Sequence, residues 1–386
     1  MVRIVGVGLT PFGTTPERTG RDMFAEACEE AFADAGVPRE DVEALYYGNF
    51  MGALAEHQGH QGPLMAEAAG IQAPATRFET ACASSGAAVR HAVQNLRSGE
   101  ADLLLVGGAE RMTNMGTGGA TEALAIAADD LFEVRAGVTF PGAYGLMATA
   151  YFEQFGGDRE DLAHVAVKNH ENALENEHAQ YQTRIDVDDV LEAPMVSAPL
   201  GLYDSCPISD GASALLLASD EYVEDGGIDA PVRITGTGQG GDNLALQDRE
   251  FLARSPAANE AAEEAYDDAG IGPDDVEVAE VHDCFTIAEV LALESLGFYE
   301  PGEGIGAARR GETTATGERP INLSGGLKAK GHPVGATGAA QIVELAQLLR
   351  GDHVNSDAVA DATVGLAHNA GGTVASAFVH VVEVAE

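Results

Sequence analysis

The chain repeats itself, and no other feature constrains its fold as strongly. The segment VRIVGVG at 2–8 returns as VRITGTG at 232–238, and EACEEAFADAGVPREDVEAL at 26–45 returns as EAAEEAYDDAGIGPDDVEVA at 260–279. Each copy of the first phrase reads as a short buried strand ending in glycine. Each copy of the second reads as an amphipathic helix closed by glycine (Gly36, Gly270), then a turn carrying proline, then entry into a strand. Two echoes at nearly one offset imply two halves of common design. A third echo brings in chemistry. Gly86-Ala87-Ala88 opens a helix that closes at Gly99, and Gly338-Ala339-Ala340 opens one of equal length that closes at Gly351. Apolar residues recur at helical spacing in both, at Val89, Ala92, Val93 and Leu96 and at Ile342, Leu345, Ala346 and Leu349. Cys82 lies just ahead of the first helix and His332 ahead of the second. If the halves pack about a pseudo-twofold axis with their sheets back to back, the two helix starts face each other and a thiol meets an imidazole.

Strands expected at 101–108 (ADLLLVGG), 213–219 (SALLLAS), 357–364 (DAVADATV) and 373–382 (TVASAFVHVV) complete the halves. Strands alternating with helices imply α/β layering with a mostly parallel sheet in each half. The boundaries that follow are 1–225 for the N-terminal half and 226–386 for the C-terminal half. Between its closing strands the first half carries a long extra segment, at about 111–209, where the second half has a short turn. Structureless loops beyond about 12–15 residues are uncommon in compact domains. The segment is therefore expected to fold as a lid or loop domain over the site.

Charge narrows the possible partners. Against 62 Asp and Glu stand 21 Lys and Arg, a formal net charge of −41, and only three of the basic residues are lysines: Lys168, Lys328 and Lys330. The acids are scattered through helical patterns and not gathered into a tail. That distribution reads as the solvated acidic surface by which halophilic proteins stay soluble in concentrated salt. It argues against nucleic acid, whose affinity comes from cations neutralising phosphates. No apolar run of about 18 residues suggests a membrane span, and MVRIVGVGLTPFG lacks the regions of a signal peptide. A cytoplasmic protein is expected. Four cysteines without a CxxC pair (Cys28, Cys82, Cys206, Cys284) read as free thiols, with neither a metal site nor a disulfide framework. Cys28, inside an amphipathic helix, and Cys206, before Pro207, are expected to be structural.

Four constellations could carry chemistry. Cys82, in ETACASSG at 79–86, sits at a helix start, where the dipole and free amides favour a thiolate; an isolated cysteine among small residues is equally a core residue. HDCF at 282–285 crowds His282, Asp283 and Cys284 at the end of a strand, where α/β sheets bind ligands. GLKAKGHPVGATG at 326–338 is too glycine-rich for a strand and presents His332 from a rigid turn between Gly331 and Pro333. It lacks the GxxxxGK[ST] order of a phosphate loop. HNAGG at 368–372 is either an ordinary turn or a set of close-approach amides suited to an oxyanion. His57 and His60 lack a further clustered ligand, and GTGQGG at 236–241 lacks the helix and acid of a dinucleotide fingerprint.

Taken in order, these motifs resemble the thiolase family over essentially the whole chain. The resemblance is closest to the branch of sterol-carrier-protein thiolases and archaeal acetyl-CoA acetyltransferases; KNHENALEN at 168–176 and CPISDGASA at 206–214 are similar to that branch too. It implies a thiolase-like five-layer αβαβα fold built from two duplicated βα halves. It also implies reversible Claisen condensation of two acetyl-CoA to acetoacetyl-CoA plus CoA, or cleavage of a 3-ketoacyl-CoA, through an acyl-enzyme. By that resemblance Cys82 is the nucleophile and His332 the base that makes it a thiolate. The amides of Cys82 and Gly371 hold the thioester oxyanion, and His282 with His332 holds the enolate oxygen. Most thiolases place a second catalytic cysteine in the final motif; here Asn369 stands in that region, and Cys284 of HDCF inherits proton transfer at the substrate α-carbon. Coenzyme A is expected near Lys168, His170, Ser205 and Gly331, as substrate, with no separate cofactor and no metal. The resemblance further implies a homodimer or homotetramer and, as in archaeal relatives, a small OB-fold zinc-containing partner subunit. Two alternatives remain: a ketoacyl synthase-like condensing enzyme and a non-catalytic acyl-CoA-binding scaffold subunit. HDCF together with GHPVGATG weighs against the first, and the intact Cys82, His282 and His332 against the second.

Overall fold

The computed structural model describes residues 1–385. Its strands are β1 (Val2–Leu9), β2 (Ala44–Gly48), β3 (Ala75–Phe78), β4 (Leu103–Glu110), β5 (Met195–Ser197), β6 (Leu200–Gly201), β7 (Gly211–Ser219), β8 (Val232–Gly241), β9 (Val278–Glu280), β10 (Val364–Gly371) and β11 (Ser376–Val384). Apart from the β5–β6 ribbon they form one sheet in the order β3-β2-β4-β7-β1-β8-β11-β10-β9. The repeated phrases meet at its centre. β1 and β8 pair antiparallel, with Arg3 opposite Arg233, Val2 opposite Ile234 and Ile4 opposite Val232. The pseudo-twofold axis thus runs between arginines that hold the same place in the repeat, and the sheets expected to lie back to back are also joined edge to edge there.

Each half is mixed rather than mostly parallel. β2 runs parallel to β3 and β4, and β9 parallel to β10. β7 is antiparallel to β4 and β1, and β11 to β10 and β8. A helical crossover returns the chain parallel, whereas the short β10–β11 turn must reverse it; the 111–209 segment has the same effect before β7. The strand expected at 357–364 is displaced to β10, because Ser356–Val359 forms a single 3-10 turn. Asp and Ala disfavour strands there, and the glycines of VGLAHNAG disguise the real one.

Glycine spacing sets the outer layers. A Cβ on Gly8 would stand 2.0 Å from the Ala27 carbonyl oxygen, and one on Gly238 1.9 Å from that of Ala261. The repeated glycines thus let the Gly20–Ala35 and Pro256–Ala269 helices press onto β1 and β8, and GTGQGG is simply the second part of β8. The Ser84–Ser98 and Thr337–Arg350 helices share the central core, where Val89, Val93, Ile342 and Leu345 pack with Ile4 and Ile234. Both helices end in left-handed glycines, Gly99 and Gly351. These layers make the five-layer αβαβα fold that the resemblance implies. At the axis the counterpart glycines touch: a Cβ on Gly338 would lie 2.4 Å from the Gly86 nitrogen. Residues 111–209 fold over this point, and Tyr144, Met147, Tyr151 and Leu162 form a core with Phe285 and Leu291 of the second half. No helix among the described residues is long and apolar enough to cross a membrane.

Lysine usage has a spatial explanation. Lys168, Lys328 and Lys330 are all buried, so no lysine among the described residues faces solvent. The surface carries the excess acid with arginine as its cation, and its self-repulsion weakens as salt screens it. The thermal unfolding midpoint is expected to rise by on the order of 10 °C between about 0.2 M and 2 M KCl. A midpoint unchanged across that range in a calorimetric titration refutes the salt-adapted reading of the surface.

Candidate active site

Cys82 is held by strained backbone. Ala81 adopts φ 51°, a left-handed conformation that costs a non-glycine residue about 1–2 kcal/mol. It turns the chain from β3 into the Ser84–Ser98 helix. The Ser84 hydroxyl pins the turn by accepting the Thr80 N–H (3.1 Å) and donating to the Ala81 carbonyl (2.6 Å). Burial pushes the Cys82 thiol up to about 12, against the amides of Gly372 and of Cys82 itself, which pull it down. The helix start therefore does not supply a resting thiolate. Enclosure costs the charge more than two amides return.

Two imidazoles meet the sulfur. The Cys82 sulfur and a ring nitrogen of both His282 and His332 all lie within 4.8 Å of one another, and the rings stand 4.9 Å apart at 85°. Their hydrogen bonds define different tautomers. Thr337 Oγ1 donates to the Pro333 carbonyl (3.0 Å), so it accepts from His332 Nδ1 (2.8 Å), which leaves the His332 Nε2 lone pair free. The Asn369 amide donates to the Cys82 carbonyl (3.2 Å) and to His282 Nδ1 (3.1 Å), which puts the His282 proton on Nε2. Both Nε2 atoms are buried without a partner. Such orphans cost about 1–3 kcal/mol each unless a ligand satisfies them. The result is one base and one donor, side by side, next to a thiol.

Neither imidazole is charged at rest. Burial lowers His332 to about 3, and burial, with His332 and His368 nearby, takes His282 well below the ordinary range. Burial thus shifts both groups toward their neutral forms, a thiol on Cys82 and an uncharged imidazole on His332, and disfavours a resting ion pair. The pre-steady-state rate of Cys82 acylation by acetyl-CoA is expected to be flat from about pH 5 to about pH 9. A limb near pH 6–7 in rapid-quench measurements, the mark of an imidazolium–thiolate pair, overturns this.

A cavity of about 470 Å³ opens onto the sulfur. Its walls are mainly apolar and come largely from the 111–209 segment, including Leu124, Phe140, Tyr144 and Cys206, with Cys284 and Phe285 contributed by the second half. Cys82, His332, Cys284 and Ser205 line it, and His282 packs against His332 beside them. Other expected positions shift. The strand-end amide that reaches the Cys82 sulfur is that of Gly372, and the Gly371 backbone packs against Thr80, whose carbonyl oxygen lies 2.3 Å from where a Gly371 Cβ would stand. Lys168 points away into the core, paired with Glu289 (2.9 Å) and bonded to the Ile321 carbonyl (2.9 Å). His170 sits one layer behind the wall, stacked on Tyr181, which does line the cavity. Gly331 backs onto Ser209 and Gln180. Of the four positions proposed for coenzyme A, Ser205 alone reaches the cavity. Cys206 lines the cavity and donates its backbone N–H to the Cys284 carbonyl (3.0 Å), beside the Ser205–Phe285 bridge. Sequence reading also missed Tyr144, Thr337 and the linking role of Asn369; Thr337, in GHPVGATG, and Asn369, in HNAGG, lay inside recognised motifs, and Tyr144 did not. Asp283 accepts from Leu327 N (2.6 Å), Lys328 N (3.3 Å) and Asn169 (2.7 Å), which ties HDCF to the loop that carries His332. Among the described residues, His57 and His60 belong to no cluster able to hold a metal.

Two family models cover the chain: the thiolase N-terminal domain over residues 2–221 and the thiolase C-terminal domain-like model over 238–384. The chain is 42% identical to the acetyl-CoA acetyltransferase of Methanothermobacter thermautotrophicus, over 98% of both chains. It is 33% identical to benzoylsuccinyl-CoA thiolase subunit BbsB of Thauera aromatica, covering 96% of this chain and 94% of that one. Human sterol carrier protein 2 is 32% identical over 96% of this chain and 70% of its own. Among solved structures, the Ltp2-ChsH2(DUF35) aldolase matches with a TM-score of 0.82 at 25% identity, covering 99% of this chain and 97% of that one.

Proposed function

Since the chain belongs to the thiolase family and is an acyltransferase, we propose that it interconverts two acetyl-CoA with acetoacetyl-CoA and CoA through an acyl group carried on Cys82. The observation that supports this best is the pair of complementary tautomers. His332 Nε2 takes the Cys82 proton as the sulfur attacks the thioester carbonyl. The amides of Cys82 and Gly372 hold the oxyanion, each worth about 10²–10³ in rate. The CoA sulfur leaves with the Cys284 proton, which makes Cys284 the thiolate that then removes the α-proton of a second acetyl-CoA. The enolate oxygen lies between His282 Nε2–H and the protonated His332. Its carbon attacks the acyl group, and Cys82 departs and recovers its proton from His332. The reverse sequence is thiolysis, with coenzyme A thioesters as the substrates and no separate cofactor.

The assembly is proposed as a homo-oligomer with a small zinc-containing partner; relatives named as a thiolase subunit and as an aldolase that includes a DUF35 chain support a partner subunit as such. The test is acetoacetyl-CoA thiolysis in high salt, by the purified chain alone and with its candidate partner, then with longer 3-ketoacyl-CoA. Absence of turnover and of acyl transfer in every combination sinks the proposal.

A further inference from the structure

Tyr144 stands where the two thiols meet, and nothing above gives it a task. It is fully buried, on the Phe140–Phe155 helix of the segment that covers the site. Its ring stacks on Phe285, centroids 4.6 Å apart at 25°, so its position is fixed by the residue next to Cys284. Its hydroxyl donates to the Gly372 carbonyl (3.0 Å), while the Gly372 amide points to Cys82. Tyr144, Cys82, Cys284 and Gly372 all line the one cavity. Resting on the condensation proposed above, we propose that Tyr144 is the positioning residue for the proton-transfer thiol. Its hydroxyl donates to Gly372 at rest and turns about its C–O bond to donate to the Cys284 sulfur when that sulfur becomes a thiolate.

The chemistry requires such a donor. Burial and the neighbouring Cys206 hold the Cys284 thiol well above its ordinary range, while the Tyr144 hydroxyl, which lines the same cavity, pulls it down. A thiolate formed in this apolar wall without a donor is a poorly solvated charge, and a hydrogen bond to a charged group contributes about 1.5–3 kcal/mol. Burial also keeps the phenol protonated, so Tyr144 serves as donor and not as the base. Rotation of one hydroxyl leaves the stacked ring in place. No proton leaves the oxygen, so the proton count of the reaction is unchanged.

Tyr144→Phe keeps the ring and removes the donor. Two partial reactions of the full chain in high salt separate the roles: exchange of labelled CoA into acetyl-CoA, which needs Cys82 acylation, and exchange of the acetyl methyl hydrogens with deuterium oxide, which needs Cys284. Methyl exchange is expected to fall about 10–100-fold and its pH dependence to move upward by about 1–2 units, with CoA exchange down by less than about threefold. Equal losses in both exchanges, the result of simple misfolding, overturn the proposal, as does no loss in either. Tyr144→Met, which fills the space without a donor, takes its place if the phenylalanine variant does not fold. A wild-type chain with neither exchange counts instead against the condensation itself, so the two failures are distinct.

Discussion

Cys82→Ala is expected to abolish acyl transfer in both directions, by about 10⁴-fold or more, while leaving the fold and the cavity intact. Alanine fits the turn as well as cysteine does, since Ala81 and Ala83 already flank it, and the lost sulfur contact costs on the order of 1 kcal/mol. The two imidazoles are neutral with or without the thiol, so no buried charge is stranded by its removal. What disappears is the atom that carries the acyl group. The variant is therefore expected to bind acetoacetyl-CoA and not turn it over. Mass spectrometry of the wild type after acetyl-CoA should show one added acetyl group on the peptide containing Cys82, absent in the variant. Full thiolysis by Cys82→Ala, or the label on another residue, removes the nucleophile from this position.

The duplication made this part of the site legible. A repeat relates positions across the axis without any knowledge of the intervening loops. Cys82 and His332, each ahead of corresponding helices, had to meet once Gly86 and Gly338 packed together. The same logic fails wherever the halves differ. Tyr144 lies in the 111–209 segment, which has no counterpart in the second half, so nothing in the repeat says that its hydroxyl reaches Gly372. The direction of β7 depends on how that segment returns, which hydrophobic periodicity does not encode. Lys168 shows a different limit. In a chain with three lysines, a lysine in a phrase similar to the thiolase branch suggests a bound anion, but its anion is Glu289, more than a hundred residues away in sequence and on another helix. Lys330 likewise pairs with Glu344 (3.2 Å) under the His332 loop. These lysines persist where a buried carboxylate needs a cation, and the solvated surface does without them.

Cys284→Ala separates the second thiol from the first. Removal of a proton-transfer group costs about 10²–10⁴-fold, and the loss is expected in both condensation and thiolysis because the same proton crosses in each direction. CoA exchange through Cys82 should suffer far less, since a thiolate leaves from a thioester without compulsory protonation. The methyl hydrogens of acetyl-CoA should cease to exchange with deuterium oxide. Cys82→Ala differs in CoA exchange, which is lost outright together with acylation, since Cys284 is deprotonated only as Cys82 is acylated. If Cys284→Ala has a negligible effect, the acid/base role passes to another group, and His368 is the next candidate. Its Nδ1 accepts the backbone N–H of His282 at 3.5 Å and its buried Nε2 has no partner. Burial lowers His368 to about 4, so it is neutral at working pH, with its proton on Nε2; it takes up a proton only at Nδ1, by giving up the bond from His282. His368→Ala made alongside Cys284→Ala decides between them: methyl-hydrogen exchange lost in the cysteine variant alone assigns the step to the thiol, and lost in the histidine variant alone assigns it to the imidazole.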